Sequence, residues 1–296
     1  MVIGVPASGP APQRERKAYA RALARTPVAV WEDDLTDWAA ALTYYAVLAL
    51  FPALMVIIFA ITLLGTGSPY EIVDQFGAFL PKTARPVLEQ ALGSRQEGSS
   101  TPWLLVALTA GAALWSASSY LAVFRRALHA MYGVADCRPA WRTFPAILLR
   151  ALTVLALLVS GVLTLTATER IARAIGRGTG TDHQAALVWA GLKWPLLFLV
   201  IVALVLLLFR SGPPGARGPR QTLPGGALAV VLWFLASVGF AFYASHIATY
   251  NRLYGSLAGV VAFLVWLWVS HAVLLAGAQF NAELTRNGRP ESPDPC

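Results

Sequence analysis

GSLAGVVAFLVWLWVSHAVLLAGAQF, residues 255–280, runs for 26 residues without a Lys, Arg, Asp or Glu. A hydrocarbon core of about 30 Å requires roughly 20 apolar residues in a helix. Helices suit such runs because lipid offers no hydrogen-bond partner to an open backbone. The sequence therefore predicts an all-α, polytopic membrane protein. Its six transmembrane helices lie in this stretch and in five others that are nearly free of charge: 39–64, 103–124, 144–168, 186–209 and 223–250.

The composition supports a membrane protein. Hydrophobic residues make up 57% of the chain and charged residues 13%, against about 25% charged residues in soluble domains. The net charge is +8. Most of the positive residues lie in the connectors and tails outside the apolar stretches, so this charge does not indicate a nucleic-acid partner. We expect contact with membrane lipids, with anionic headgroups on the cytoplasmic side.

The distribution of Arg and Lys predicts the orientation. Fifteen of these residues fall in the N-terminal tail, the 125–150 and 210–222 connectors and the C-terminal tail, whereas six fall in 65–102 and 169–185. Because positive residues concentrate on the cytoplasmic side, both termini are expected in the cytoplasm of a bacterial inner membrane. Residues 1–18 lack the apolar core of a signal peptide, so the first span is expected to remain as an anchor.

The segments outside the spans predict three regions: a disordered tail over 1–16, a six-helix domain over 17–285 and a disordered tail over 286–296. Residues 17–35 are expected to form a short interfacial helix interrupted by Pro27. An external loop, 65–102, has apolar residues at helical spacing and predicts two amphipathic helices. An acidic cluster precedes the first span. It consists of Glu32, Asp33, Asp34 and Asp37. These carboxylates can interact favourably with the positive end of the helix dipole; the alternative is that they form an ion-binding entrance to the protein.

Sequence motifs give little support to an enzyme. The two cysteines, Cys137 and Cys296, have no metal-binding spacing, and no HExxH, GxSxG or glycine-rich phosphate loop occurs. The four histidines fall in different segments, so no metal site or cofactor is predicted. A hydrolase that combines Ser116 or Ser118 with His271 is the one catalytic arrangement left open.

Polar residues within the apolar stretches are the candidates for function, because polar groups in lipid usually face a bundle interior or a water-filled cavity. Gln279 and Glu283 lie one helical turn apart on one face. That face, with His271, is expected to meet the tyrosines of the first span. The candidate pathway or packing face comprises Tyr44, Tyr45, Ser116, Ser119, Lys193, Asn251, Arg252, Tyr254, His271, Gln279 and Glu283, with Thr43 beside the tyrosines.

Several of these polar residues also have a purely structural explanation. The small residues around Ser116 favour tight helix packing, Lys193 can reach the outer headgroups, and Arg252 can pair with phosphates. Two functions are therefore compatible with the sequence. The first is transport of a solute that the sequence does not identify and that could be lipid-like. The second is a scaffold that transports nothing and organises partners or anionic lipid. A homo-oligomer and an inverted repeat are both open.

Several motifs together resemble the YihY/BrkB family of bacterial inner-membrane proteins. They begin with AAALTYYAVLALFPAL (39–54) in the first span and end with AGAQFNAE (276–283) in the last. Between them, in order, come LWSASSYLAVF (114–124), Met131-Tyr132-Gly133, LPGGALAVVLWFL (223–235) and Tyr254-Gly255. The match runs from about residue 17 to residue 285.

The resemblance implies a six-helix membrane protein and supplies no biochemical activity. The family once carried the label of a tRNA-processing ribonuclease, which is regarded as mistaken, and some members are linked to serum resistance and virulence. Transport has been suggested for it. This chain has Gln279 where the family commonly has Glu, and it keeps Glu283 one turn later.

Overall fold

The computed structural model describes residues 11–64, 101–134, 140–166, 182–213, 218–246 and 256–286. These ranges contain helices and short turns, and no strand occurs within them. The helices are α1 (Ala11–Glu32), α2 (Leu35–Leu64), α3 (Thr101–Met131), α4 (Ala140–Thr166), α5 (Asp182–Phe209), α6 (Pro219–His246) and α7 (Ser256–Arg286).

The prediction of an all-α, polytopic membrane protein is confirmed. Five helices contain segments long and apolar enough to cross a membrane: Ala107–Met131, Trp141–Thr164, Gly191–Phe209, Gln221–Tyr243 and Gly259–Arg286. A shorter apolar segment, Leu35–Leu50, lies in α2, at the position of the first predicted span. The predicted external loop helices fall in 65–100, outside the described residues.

Helix α1 differs from the predicted interfacial helix at its start and at Pro27. It begins at Ala11 rather than at residue 17, and Pro27 lies inside it. Pro12 does not prevent the early start, because the first turn of a helix needs no partner for its N–H groups. The helix continues through Pro27 although a backbone bond is lost there; α1 packs on α7, and the neighbouring residues Ala22, Thr26 and Ala29 are buried.

The chain divides into two compact units. Among the described residues, unit 1 contains α1, α6 and α7, together with α2 up to Thr43, α3 from Val123 and α5 from Leu208. Unit 2 contains the remaining parts of α2, α3 and α5 together with α4. In unit 2, large side chains such as Trp115, Leu149 and Phe198 are exposed. Such a surface suits a helix that contacts lipid.

Helices α6 and α7 approach very closely in unit 1. A Cβ atom added to Gly225 would lie 2.1 Å from the carbonyl oxygen of Gly277, and one added to Gly277 would lie 2.6 Å from the Cβ of Ala229. Small residues let helix backbones meet in this way in membranes. The two glycines are therefore required by the crossing of α6 and α7.

Asn281 joins the same two helices by hydrogen bonds. Its Oδ1 accepts from the backbone N–H of Gly225 at 2.7 Å, and its Nδ2 donates to the carbonyl oxygen of Thr222 at 3.2 Å. Pro224 lies between these two backbone groups. The crossing and the Asn281 amide together fix the C-terminal half of α7 against the first turns of α6.

Candidate functional site

One face of α7 carries polar residues that are buried within unit 1. His271, Leu275, Gln279 and Glu283 recur every four residues, which places them along one side of a helix. His271 is 7% exposed, Gln279 0% and Glu283 3%. This set of three polar residues is called the α7 polar face below. Buried polar and ionisable groups in a membrane helix are costly, so each needs a partner.

Gln279 is bound to the turn between α1 and α2. Its Nε2 donates to Oδ2 of Asp33 at 2.7 Å. The next residue, Asp34, has a φ of 48°, a left-handed conformation that Asp adopts more readily than most residues. The sequence analysis gave Asp33 a helix-dipole role or a place in an ion-binding mouth. The structure adds a direct bond from its carboxylate to α7.

His271 is paired with the start of α2. Its Nδ1 lies 3.1 Å from Oγ1 of Thr43, and Thr43 Oγ1 also donates to the carbonyl oxygen of Ala39 at 2.8 Å. A hydroxyl has a single hydrogen to donate. Because Ala39 receives it, the Thr43 oxygen is left as an acceptor toward the imidazole, and His271 also has a hydrogen bond with the backbone of Leu267.

Glu283 and Arg286 connect the end of α7 to the end of α3. Arg286 Nη1 donates to Glu283 Oε1 at 3.1 Å, and its Nη2 donates to the carbonyl oxygen of Met131 at 2.9 Å. Helix α3 ends there in a glycine cap: Gly133 has a φ of 62°, and the N–H of Val134 reaches the carbonyl of His129. Arg286 therefore satisfies a carbonyl at the negative pole of α3.

Tyr132, just after α3, also contacts the end of α7. Burial raises the pKa of its phenol to about 12, and a hydrogen bond with the Thr285 side chain acts in the opposite direction. The phenol is therefore neutral near pH 7, and α3 and α7 meet here through neutral groups and the Arg286 guanidinium.

Two oxygen atoms of the α7 polar face are buried without a hydrogen-bond partner in the part of the chain that the structure describes. They are Oε1 of Gln279 and Oε2 of Glu283. Both atoms are acceptors when Glu283 is ionised. The face can therefore receive a donor or a positive charge at two points one turn apart.

The other predicted site residues lie elsewhere. Tyr44 and Tyr45 belong to unit 2, where their rings pack edge to face at 5.4 Å, and Tyr44 is 62% exposed. Ser119 donates to the carbonyl of Trp115 within α3, and Lys193 lies over the Trp194 ring at 5.6 Å. Ser116 is half-buried. Asn251, Arg252 and Tyr254 lie outside the described residues. The expected meeting of the tyrosines with α7 stays a prediction.

Sequence reasoning missed the roles of Asn281 and Arg286. The signal for Asn281 was available, because an amide in an apolar helix requires a hydrogen-bond partner. Arg286 was counted only as a positive charge of the C-terminal tail. Within the described ranges, no three His, Cys, Asp or Glu residues cluster as a metal site.

The fold and the α7 polar face define an α-helical membrane protein with a buried polar helix face. The family described as virulence factor BrkB matches residues 27–296, and the chain belongs to this family. No solved structure matches the chain.

Known relatives share most of this chain at modest identity. The ribonuclease-like protein YfkH of Bacillus subtilis strain 168 is 29% identical over 268 residues, which cover 86% of this chain and 91% of YfkH. A UPF0761 membrane protein of Xanthomonas campestris pv. campestris strain B100 is 28% identical over 264 residues. That match covers 86% of this chain and 58% of the relative, so the Xanthomonas protein is considerably longer.

A UPF0761 membrane protein of Tolumonas auensis is 37% identical over 94 residues, which cover 32% of this chain and 31% of the relative. The two UPF0761 relatives are named as membrane proteins, whereas YfkH is named for a likeness to ribonucleases. The comparisons therefore support a membrane protein and name no transported solute.

Proposed function

We propose that the protein transports a solute across the bacterial cytoplasmic membrane and that the α7 polar face forms part of the route. The observation that carries this proposal is the burial of His271, Gln279 and Glu283 on one side of an apolar helix. Apolar residues would pack this face without a desolvation cost. Polar groups at such positions typically line substrate or ion pathways.

The test uses inside-out membrane vesicles that contain the protein, with protein-free vesicles as the control. Both are incubated with a metabolite extract of bacterial cytoplasm, washed, and analysed by mass spectrometry. A parallel arm measures the movement of fluorescent phospholipid between leaflets, which covers a lipid-like solute. Transport predicts at least one solute or lipid that moves only with the protein. If vesicles with and without the protein accumulate the same solutes and move phospholipid equally, a scaffold is favoured.

The topology proposal places both termini and the 125–150 and 210–222 connectors in the cytoplasm. This topology rests on the uneven distribution of Arg and Lys between the two sides of the membrane. The basic connectors on the cytoplasmic side are also proposed to contact anionic headgroups. In intact cells, a membrane-impermeant maleimide is expected to label Gln90→Cys and Gly178→Cys from outside. Native Cys137 is expected to react only after permeabilisation. Labelling of Cys137 in sealed cells would overturn this arrangement.

The purified protein is expected not to cleave tRNA, although one relative is named for a likeness to ribonucleases. Cleavage requires an acid–base pair or metal ligands placed around the phosphate, and the sequence contains no recognisable motif of this kind. The measurement is gel analysis of labelled tRNA with Mg²⁺, Mn²⁺ or Zn²⁺. Cleavage that co-purifies with the protein and disappears in Asp34→Asn or Asp37→Asn would contradict this expectation.

A further inference from the structure

The two unpartnered oxygens of the α7 polar face belong to residues one helical turn apart. Gln279 Oε1 and Glu283 Oε2 are buried, and their residues lie at i and i+4, where side chains are neighbours at about 5–6 Å between Cβ atoms. An unsatisfied buried acceptor costs about 1–3 kcal/mol, and more when it is charged. Two such acceptors on consecutive turns favour a ligand that is positive or donates hydrogen bonds.

Asp33 determines which atom of the Gln279 amide remains available. The Gln279 Nε2 donates to Asp33 Oδ2 at 2.7 Å, and the reversed amide would set two acceptor oxygens against each other. The amide nitrogen is therefore committed to Asp33 and the amide oxygen is left without a partner. Asp33 is a positioning residue for this oxygen.

The side chains that are hydrogen-bonded to Gln279 and Glu283 carry a net negative charge. Asp33 and Glu283 are carboxylates, and Arg286 forms the ion pair with Glu283 Oε1 at 3.1 Å. These three bonded side chains sum to one negative charge, and the buried Arg125 of α3 in the same unit has an interaction of its own. Glu283 and Gln279 also lie in the last turns of α7, where the helix dipole favours cations. Carboxylate and amide oxygens are ligands for hard cations.

We propose that Gln279 Oε1 and Glu283 Oε2 bind a small monovalent cation, with Asp33 holding the amide in position. The proposal rests on the transport function, because it assigns to the same polar face the charge that accompanies the solute. The cationic group is either an inorganic ion or the ammonium group of the solute itself. A divalent ion would leave an excess positive charge in a buried site, which is unfavourable.

The test measures the thermal unfolding of the full-length protein in detergent. Titrations with NaCl, KCl and methylammonium chloride replace choline chloride at constant ionic strength. A bound cation stabilises the folded protein in a saturable way. Stabilisation by Na⁺ or K⁺ identifies an inorganic ion, and stabilisation by methylammonium alone identifies an ammonium group. Equal unfolding temperatures in all four salts would overturn the proposal in favour of bound water.

Variants decide whether the cation binds at these two oxygens. Glu283→Gln keeps the shape of the side chain and removes its charge, so apparent affinity should fall at least about tenfold, and Asp33→Asn about 10–100-fold. Arg286→Gln should raise the affinity, because the site then carries two negative charges. Val265→Ala, on the exposed side of α7, is the matched control. A saturable salt effect that all the variants retain would place the ion elsewhere and overturn the proposal.

The cation and transport proposals can fail separately. Cation binding is read from unfolding and needs no solute, whereas transport is read from vesicle accumulation. If solute accumulation is unchanged in choline chloride and no cation stabilises the protein, the cation proposal is wrong and the transport proposal is unaffected. Cation binding without movement of any solute or lipid removes the transport function.

Discussion

Gly225→Val is expected to prevent most of the protein from folding in the membrane. A Cβ atom at this position would lie 2.1 Å from the Gly277 carbonyl oxygen and 2.4 Å from the side-chain amide carbon of Asn281. Neither α7 backbone nor the bonded Asn281 amide can move without separating the two helices. Overpacking of this kind against backbone costs about 3 kcal/mol or more.

The measurement is fluorescence-detected gel filtration of detergent extracts, followed by thermal unfolding of the monodisperse fraction. Gly239→Val is the matched control in the same helix, because a Cβ there meets no atom within 4 Å. The control is expected to elute and unfold like the wild type, while Gly225→Val is expected to aggregate. A Gly225→Val variant as stable as the control would show that α6 and α7 do not cross at the glycines.

Gln279→Leu is expected to insert normally and to reduce transport at least about tenfold, since a charged acceptor that loses its buried partner costs more than about 1–3 kcal/mol. Leu has a similar volume and suits an apolar helix, so the span itself is preserved. Asp33 loses the bond to the Gln279 Nε2, and the polar face loses its amide oxygen. The measurement is vesicle accumulation of the solute, normalised to inserted protein.

Val265→Leu is the control for Gln279→Leu, because it changes the exposed side of the same helix. It is expected to keep wild-type accumulation. If Gln279→Leu also keeps full accumulation, the amide serves only to pack α7 against the turn between α1 and α2.

The spans and one face of the site follow from sequence for a simple physical reason. The bilayer imposes both a length and an absence of charge, so the stretch 255–280 predicted helix α7 without any knowledge of its neighbours. The i, i+4 spacing of Gln279 and Glu283 placed them on one side of that helix. Burial of that side agrees with the high cost of polar groups in lipid.

The partners of that face could not be predicted, because they depend on how helices meet. Nothing local distinguishes Asp33 from Asp34 or Asp37, and the carboxylate that reaches α7 is selected by the turn between α1 and α2. Arg286 likewise reaches the end of α3 only because two distant helix ends are adjacent. The continuation of α1 through Pro27 was missed because the packing of α1 on α7 cannot be read from the local sequence.

The most direct test of the central claim asks whether water-soluble reagents reach the α7 polar face during transport. His271→Cys and Val265→Cys are made in a Cys137→Ser, Cys296→Ser background and exposed to a charged, hydrophilic thiol reagent in vesicles. The transport account predicts labelling of His271→Cys, although His271 is only 7% exposed in this structure, and no labelling of the apolar exposed position Val265→Cys. Absence of labelling at position 271, with wild-type insertion, would contradict a polar route and indicate a tightly packed scaffold.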